Sequence, residues 1–493
     1  MDERVTFWLR LLSGLLLSAL SVVALLLALP PCGLWPLVLV SFVPMLVAQY
    51  RILPARLSSL GPAVGMGGFI GLYIISIWPS EVGDYPWFAK TVPMLILMAL
   101  FFFTEKGDRA LHERTGYRWF VWQGALVWVG VEMIRSLIPG LGTGAFVAYA
   151  YAFAPWLIQP ISIFGIFGLS LVTMLVAYGL ALGALAWLDG RWRPAERMTP
   201  VSPRLARHWL VAIAALALCW AVLSLLLDKN PATPTVRVAA IQTGGRLPSR
   251  ASRLDLLSRQ TRQAAADGAQ VVVWPEGALD WDPQLAHTGE LRALARETGA
   301  YIVIGYALNT ATGLRNEATI LSPGGQFLGV YGKDHPVTLL GETSISRGAY
   351  PVYDTPLGKL GTLICFDLVF TDSARRTAAG GAQLVGLPSN DWRALADIEY
   401  THLVFRAVEN RMAMVKADTQ YDSAVIDPYG RIVSAAVSTE AQRAVLVANV
   451  ALGTASALQI RLGDWIGWLC VAGLAFFALP NPLLKRTTVA PPG

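Results

Sequence analysis

Three apolar runs in the second half of the chain end in groups that one reaction can use together. "VVVWPE" ends in Glu276, "QFLGVYGK" ends in the hairpin-like position Lys333, and "GTLIC" ends in Cys365. A carboxylate can take the proton of a thiol, an ammonium can stabilise an oxyanion, and the thiolate can attack a carbonyl or nitrile carbon, with no metal required. Each residue also has an ordinary reading. Glu276 follows a proline and suits a helix N-terminus, Lys333 suits a solvated loop, and a cysteine inside "LICFDLVF" behaves as a small buried hydrophobe.

Holding three such groups together requires stiff elements that end at one place. Short Val- and Ile-rich runs recur between 235 and 450: "VRVAAIQ", "AQVVVWPE", "YIVIGYAL", "EATILSP", "KLGTLICFD", "AQLVGLPSN", "MAMVKAD", "YDSAVIDP" and "RAVLVANV". Several are near-continuous, as strands buried on both faces are. Helical patterns intervene at 251–266, 287–298, 371–379 and 397–411. The mixture predicts a layered α/β domain with helices covering sheets, and strand ends are where such domains keep their sites. On this reading "LICFDLVF" is a buried strand whose end presents a nucleophile.

The rest of the chain is of another kind. Over 493 residues, 54% are hydrophobic and 15% charged, with a mean hydropathy of +0.50, too apolar for an ordinary soluble protein. Apolar runs long enough for membrane helices fall near 9–29, 33–50, 61–78, 91–104, 119–138, 157–187, 208–227 and 463–480. The predicted organisation is a transmembrane domain over 1–227, a catalytic domain over 228–462, and a final helix with a cytoplasmic tail over 463–493.

Charge sets the orientation, because Lys- and Arg-rich loops stay cytoplasmic. Arg4, Arg10, Arg51, Arg56, Lys106, Arg109, Arg114, Arg118, five arginines from Arg191 to Arg207, and Lys485 and Arg486 all fall on one side. Opposite loops carry Glu81 and Asp84, or no charge. Eight spans with both termini inside put 228–462 in the periplasm of a bacterial inner membrane. The net charge of +6 then reflects this bias, and no basic stripe with interleaved aromatics points to nucleic acid. Cys32, Cys219 and Cys470 lie in or beside spans, which leaves Cys365 as the one cysteine of the exported domain and excludes a disulfide framework there. The first span lacks a small-residue cleavage site and is expected to be retained.

The motifs "VVVWPEGA", "GKDHPVTLLGE", "GTLICFD", "SNDW" and "FRAVENRMAMVKA" resemble the serial signatures of the nitrilase superfamily over about 236–450. With seven preceding spans and one following, the whole chain resembles the apolipoprotein N-acyltransferase family. The resemblance implies an αββα sandwich in which Glu276 is the general base, Lys333 the oxyanion lysine and Cys365 the acyl-carrying nucleophile. Glu342 matches a supporting glutamate, and Asn316 and Ser389 to Asp391, Asn390 among them, match pocket positions. The N–H of Phe366 is a natural second oxyanion donor. Leu339, Leu340 and Trp392 are candidates for an acyl-accepting rim. Departures are Cys365-Phe366-Asp367 for the usual Cys-Tyr-Glu, "HPVTLLGE" for "HLVPFGE", a shortened "SNDWRAL", and no aromatic in "QTGGRLPSR"; all are expected at the substrate-facing rim.

The resemblance implies acyl transfer from a phospholipid to the amine of a lipoprotein's diacylglyceryl-cysteine, through a thioester on Cys365, by a monomer without cofactor or metal. The alternatives are a membrane-tethered amidase that uses water as acceptor and an inactive scaffold. A deep polar pocket would favour hydrolysis, and an apolar groove facing the membrane would favour transfer. Intact Glu276, Lys333 and Cys365 argue against the scaffold.

Overall fold

The structure is a computed structural model, and it describes residues 3–77, 86–192, 198–229, 234–245, 249–338, 341–346 and 348–479. Two sheets form the soluble part. The first runs β13-β1-β2-β3-β4-β5, with β6 on β4, built from β1 (Thr235–Thr243), β2 (Val271–Val273), β3 (Tyr301–Thr310), β4 (Gly313–Leu321), β5 (Phe327–Gly332), β6 (Glu342–Thr343) and β13 (Arg443–Ala451). The second runs β12-β11-β10-β9-β8-β7, built from β7 (Val352–Thr355), β8 (Gly358–Thr362), β9 (Leu384–Ser389), β10 (Ala413–Asp418), β11 (Asp422–Ile426) and β12 (Ile432–Val437).

The centre of each sheet is parallel, β1-β2-β3 in one and β8-β9-β10 in the other. These are the near-continuous apolar runs, buried on both faces as central parallel strands are. Between the sheets pack Val236, Val238, Val273, Val303, Leu384 and Val415. Helices Arg250–Ala266 and Thr288–Thr298 cover the first sheet through Leu254, Leu257, Leu291 and Leu294. Helices Thr371–Ala379 and Glu399–Asn410 cover the second. The strands β6, β7 and β12 escape the sequence reading: β6 has two residues, β7 is not fully buried anywhere, and β12 carries no buried residue.

The other half is helical. Among the described residues, five helices are long and apolar enough to cross a bilayer: Val5–Ala28, Ala55–Ser76, Trp87–Thr115, Ile161–Arg191 and Pro203–Leu227. The expected spans at 33–50 and 463–480 are apolar but shorter helices, Pro36–Ile52 and Trp465–Ala478. The latter is about 21 Å long, less than the roughly 30 Å of a hydrocarbon core. The run at 119–138 gives helix Phe120–Ser136, which carries Glu132 and Arg135. The run at 157–187 does not start as one helix, since Gly165 takes φ +67 and kinks it. Leu12, Leu16, Leu218 and Leu226 stand more than half exposed on the outer helices, a face that suits lipid.

The two halves interlock through polar bonds. Helix Glu399–Asn410 is buried at every residue but Tyr400, because sheet lies on one side and membrane helices on the other. At the Gly165 kink the freed N–H of Ile166 donates to Glu409 Oε1 at 2.7 Å. Arg411 donates to Gln159 Oε1 at 2.6 Å and to Ser162 Oγ at 3.2 Å, Thr143 Oγ1 to the carbonyl of Val369 at 2.6 Å, and Trp392 Nε1 to the carbonyl of Ile77 at 2.9 Å. Buried donors matched this way fix the catalytic half against the helices instead of leaving it tethered by linkers.

Candidate active site

Glu276 lies where the two sheets meet. Beyond β2 the N–H of Trp274 still bonds the carbonyl of Val303, and the N–H of Glu276 then crosses to the carbonyl of Ser389 at 3.2 Å. The crossing needs Gly305 in β3, where a Cβ would fall 2.4 Å from the carbonyl oxygen of Pro275. Lys333 follows β5, and its N–H bonds the carbonyl of Asn316 at 2.9 Å. Its ammonium lies 2.9 Å from Glu276 Oε1 and 3.0 Å from Glu342 Oε2. The Asn316 amide donates to both carboxylates, to Glu276 and, at 3.1 Å, to Glu342 Oε1. Glu342 Oε2 also accepts the N–H of Val337 at 2.7 Å. Two carboxylates thus share one ammonium and one amide, all of them buried.

Cys365 is not at the end of a strand. β8 stops at Thr362, and a 3-10 turn spans Cys365–Val369. Cys365 itself has φ +43, a strained setting for a side chain with a Cβ and one found disproportionately at functional sites. The turn is held from within by Asp367. Its carboxylate accepts the N–H of Ile364 at 3.1 Å, the Tyr331 hydroxyl at 2.7 Å and the N–H of His335 at 2.8 Å. The departure at Asp367 is therefore internal to the fold and not at the rim as the sequence suggested, while Phe366 does face the substrate cavity. Among the described residues the N–H of Phe366 has no protein acceptor.

Electrostatics fit a resting thiol beside a ready base. Burial raises Glu276 above the usual carboxylate range, Lys333 pulls it back and Glu342 pushes it up again. Burial would lower the Lys333 ammonium, but Glu276, Cys365 and Glu342 outweigh it and hold it well above the ordinary lysine value. Burial and the Glu276 charge push the Cys365 thiol well up. Burial and neighbouring charge thus favour a neutral thiol beside a carboxylate and a lysine held in its charged form, an arrangement that can pass a proton and stabilise an oxyanion.

A second group of charges backs the thiol. Cys365 Sγ lies 3.4 Å from Asp391 Oδ1, and Asp391 Oδ2 accepts the Lys416 ammonium at 2.6 Å. Lys416 also bonds the Asp422 carboxylate, and Asp418 receives the N–H of Asp391 at 2.8 Å. The carboxylates of Asp391, Asp418 and Asp422 are spaced as metal ligands can be, but Lys416 supplies the cation among them. Burial would raise Asp391, yet Lys416 holds it below its ordinary value, whereas burial keeps Asp418 and Asp422 above theirs. The sequence signal for this group was Lys416, Asp418 and Asp422 in two largely apolar, fully buried strands, and it passed unread. Asn390 is exposed beside the thiol and lines the cavity. Leu339 and Leu340 lie outside the described residues.

The site opens into a cavity of about 740 Å³. Cys365, Phe366, Lys333 and Trp392 line it together with Ile70, Tyr73, Ile74 and Ile77 of a membrane helix. A family model for carbon-nitrogen hydrolases matches residues 237–459, and a model for the apolipoprotein N-acyltransferase N-terminal domain matches residues 21–179. The chain belongs to the nitrilase superfamily, in its apolipoprotein N-acyltransferase branch.

Relatives of this acyltransferase branch align along most of the chain. An apolipoprotein N-acyltransferase of Geobacter metallireducens is 28% identical over 94% of both chains. Another, of Thermosynechococcus vestitus, is 26% identical over 89% of this chain and 90% of that one. A nitrilase of Pyrococcus abyssi is 29% identical over 42% of this chain and 86% of its own length. Among solved structures, an amidase from Nesterenkonia sp. is 23% identical over 47% of this chain and 96% of its own, with a TM-score of 0.40.

Proposed function

We propose that the protein transfers a fatty acyl chain from a phospholipid to the free amine of a lipoprotein's N-terminal diacylglyceryl-cysteine, by way of a thioester on Cys365. Glu276 takes the thiol proton, and the sulfur attacks the ester carbonyl of the donor. Lys333 and the N–H of Phe366 receive the oxyanion, with Glu342 and Asn316 fixing Lys333 and Glu276 relative to each other. Collapse breaks the ester C–O bond, Glu276 returns its proton to the leaving alkoxide, and lysophospholipid departs. The acceptor amine then attacks the thioester carbon. Glu276 takes its proton, the C–S bond breaks, and the proton goes back to sulfur. Atoms balance without cofactor or metal.

The single observation that carries this reading is the cavity, which joins Cys365 to apolar residues of a membrane helix. Two lipid substrates need such a route, and an amide dissolved in water does not. The names of the full-length relatives support the same substrates. Positive residues concentrated in alternate loops support eight spans, with both termini in the cytoplasm and 228–462 in the periplasm, and we take the working unit to be one chain.

Mass spectrometry of the protein after incubation with a diacyl phospholipid, with Cys365→Ala as control, tests the first half-reaction. A fatty-acyl adduct confined to Cys365 is expected. A thiol that reacts with an alkylating probe but never gains an acyl group refutes transfer and favours hydrolysis.

A further inference from the structure

One cation of the cavity wall takes no part in the chemistry above. Arg135 stands in the last turn of helix Phe120–Ser136 and lines the same cavity as Cys365. An ionisable side chain at membrane depth is costly and normally paired. Arg135 is not: among the described residues its guanidinium forms no hydrogen bond or ion pair, and its one contact of note is with the face of the Phe146 ring, 4.9 Å from the centroid. Glu132, one turn back on the same helix, is an electrostatic neighbour of the guanidinium but does not bond it: its Oε1 accepts Trp128 Nε1 at 3.1 Å and the N–H of Val147 at 3.3 Å, and its Oε2 has no hydrogen-bond partner among the described residues. The helix dipole and the ring help to tolerate the charge. They leave its five N–H donors unspent, half-buried and directed at a cavity.

Arg135 is not an isolated case. His402, 3% exposed, lines the same cavity, and its Nε2 has no hydrogen-bond partner. Its ring packs edge-on against Tyr149, with centroids 4.1 Å apart, which fixes where that nitrogen points. The hydroxyl of Tyr73 also lines the cavity with no partner among the described residues. Three polar groups without hydrogen-bond partners, one of them a guanidinium, share the wall with apolar residues such as Ile70, Ile74, Leu141 and Ala145, apart from the charged cluster around Lys333. That pattern belongs to a cavity completed by a ligand carrying an anion on an apolar body.

We propose that Arg135 is the anchor for the phosphodiester of the acyl donor, with Tyr73 and His402 as neighbouring polar contacts. The inference rests on the acyl-transfer reading and adds a discrimination to it. The donor carries a phosphodiester close to its ester groups, and the departing lysophospholipid keeps it. The diacylglyceryl-cysteine acceptor has none. A planar guanidinium matches phosphate oxygens with paired N–H donors, so Arg135 acts in the first half-reaction and is idle in the second.

The test separates the halves in purified full-length protein. Loading of Cys365 is followed by mass from a diacyl glycerophospholipid and, in parallel, from a phosphate-free activated fatty ester. Transfer is followed by adding a diacylglyceryl-cysteine peptide to preloaded enzyme. Arg135→Met is expected to slow phospholipid loading about ten- to a hundredfold, the loss typical of a hydrogen-bonded charge contact. Loading from the phosphate-free ester and transfer to the peptide should be unchanged, and Arg135→Lys should recover part of the loss. Equal slowing with both donors, or normal phospholipid loading, overturns the assignment. Inhibition of wild-type loading by inorganic phosphate that spares the Arg135→Met enzyme would give the guanidinium to free phosphate instead. Failure of the wild type to load from any phospholipid would sink the acyl-transfer reading itself, a result distinct from all of these.

Discussion

Replacing Lys416 with Met tests whether a buried charge pair holds the wall behind the nucleophile. The Lys416 ammonium is fully buried and bonds Asp391 at 2.6 Å, the Asp422 carboxylate, and the carbonyl of Asp422 at 3.2 Å. Methionine keeps most of the length and removes the charge. Deleting one partner of a buried pair costs about 3–5 kcal/mol, because the other charge stays behind without compensation. At about 2–4 °C per kcal/mol for a domain of this size, Tm should fall by roughly 6–20 °C. The triple variant Lys416→Met, Asp391→Asn, Asp422→Asn leaves only Asp418, whose carboxylate is held by the N–H groups of residue 391, Gln420 and Tyr421, and it should recover most of that loss, since a neutral replacement of a buried pair is often harmless. Tryptophan fluorescence during a thermal ramp in detergent reads both. A Tm for the single variant within about 2 °C of wild type, or a triple variant as unstable as the single, would show that packing and not charge holds this wall.

Four further outcomes follow from the same geometry. Cys365→Ser should abolish acyl loading while Tm stays near wild type, whereas a collapse of folding would return the residue to a packing role. Lys333→Ala should slow loading by at least about a hundredfold, as loss of one oxyanion stabiliser does, and near-normal loading would remove it from the mechanism. On the proposed mechanism Glu276 acts ionised, so activity is lost as pH falls through its raised pKa; Glu342 helps to hold that pKa up, so Glu342→Gln should move the acid limb of kcat/KM to lower pH, and an upward shift would contradict this. Burial raises the Glu399 carboxyl to about 8, so the folded state holds a proton that the unfolded state has lost. Stability therefore declines as pH rises from the unfolded value to about 8, and in pH-resolved Tm measurements the advantage of Glu399→Gln should grow over that window and then level off.

Glu276, Lys333 and Cys365 were legible because each ends an apolar run, and strand ends converge in a layered α/β fold. Glu342 and Asn316 came from the resemblance alone, since nothing in "LLGE" or "RNEATIL" shows that their side chains meet at one ammonium. The local conformation at Cys365 was misread because "LICFDLVF" is apolar throughout. Asp367, the one charge in that run, is the residue that closes the turn, and a buried carboxylate there has to find N–H donors. β7 and β12 were missed for want of buried residues and β6 because it is two residues long, and the eight-span count met helices shorter than their apolar runs. Arg135, His402 and Glu399 were invisible for a different reason. Their placement depends on which membrane helix faces which sheet, and no periodicity encodes that.

On the acyl-transfer reading, the interlocking of the two halves bears on why a hydrolase-type site would spare its thioester. The intermediate must outlast the exchange of lysophospholipid for acceptor, so water has to be kept from an electrophilic carbon. Trp392 lines the same cavity as Cys365 with its indole N–H fixed to the carbonyl of Ile77, and Thr143 ties the far end of the Cys365 turn to the loop after a membrane helix. Loosening either bond would widen the cavity without touching a reacting group. Trp392→Phe keeps an aromatic ring and removes the tether, so it should leave loading of Cys365 near wild type and raise hydrolysis of the loaded enzyme relative to transfer. Unchanged partition between water and amine in that variant would mean that the apolar wall alone excludes water, and that the docking of the two halves serves only to align the site with the membrane.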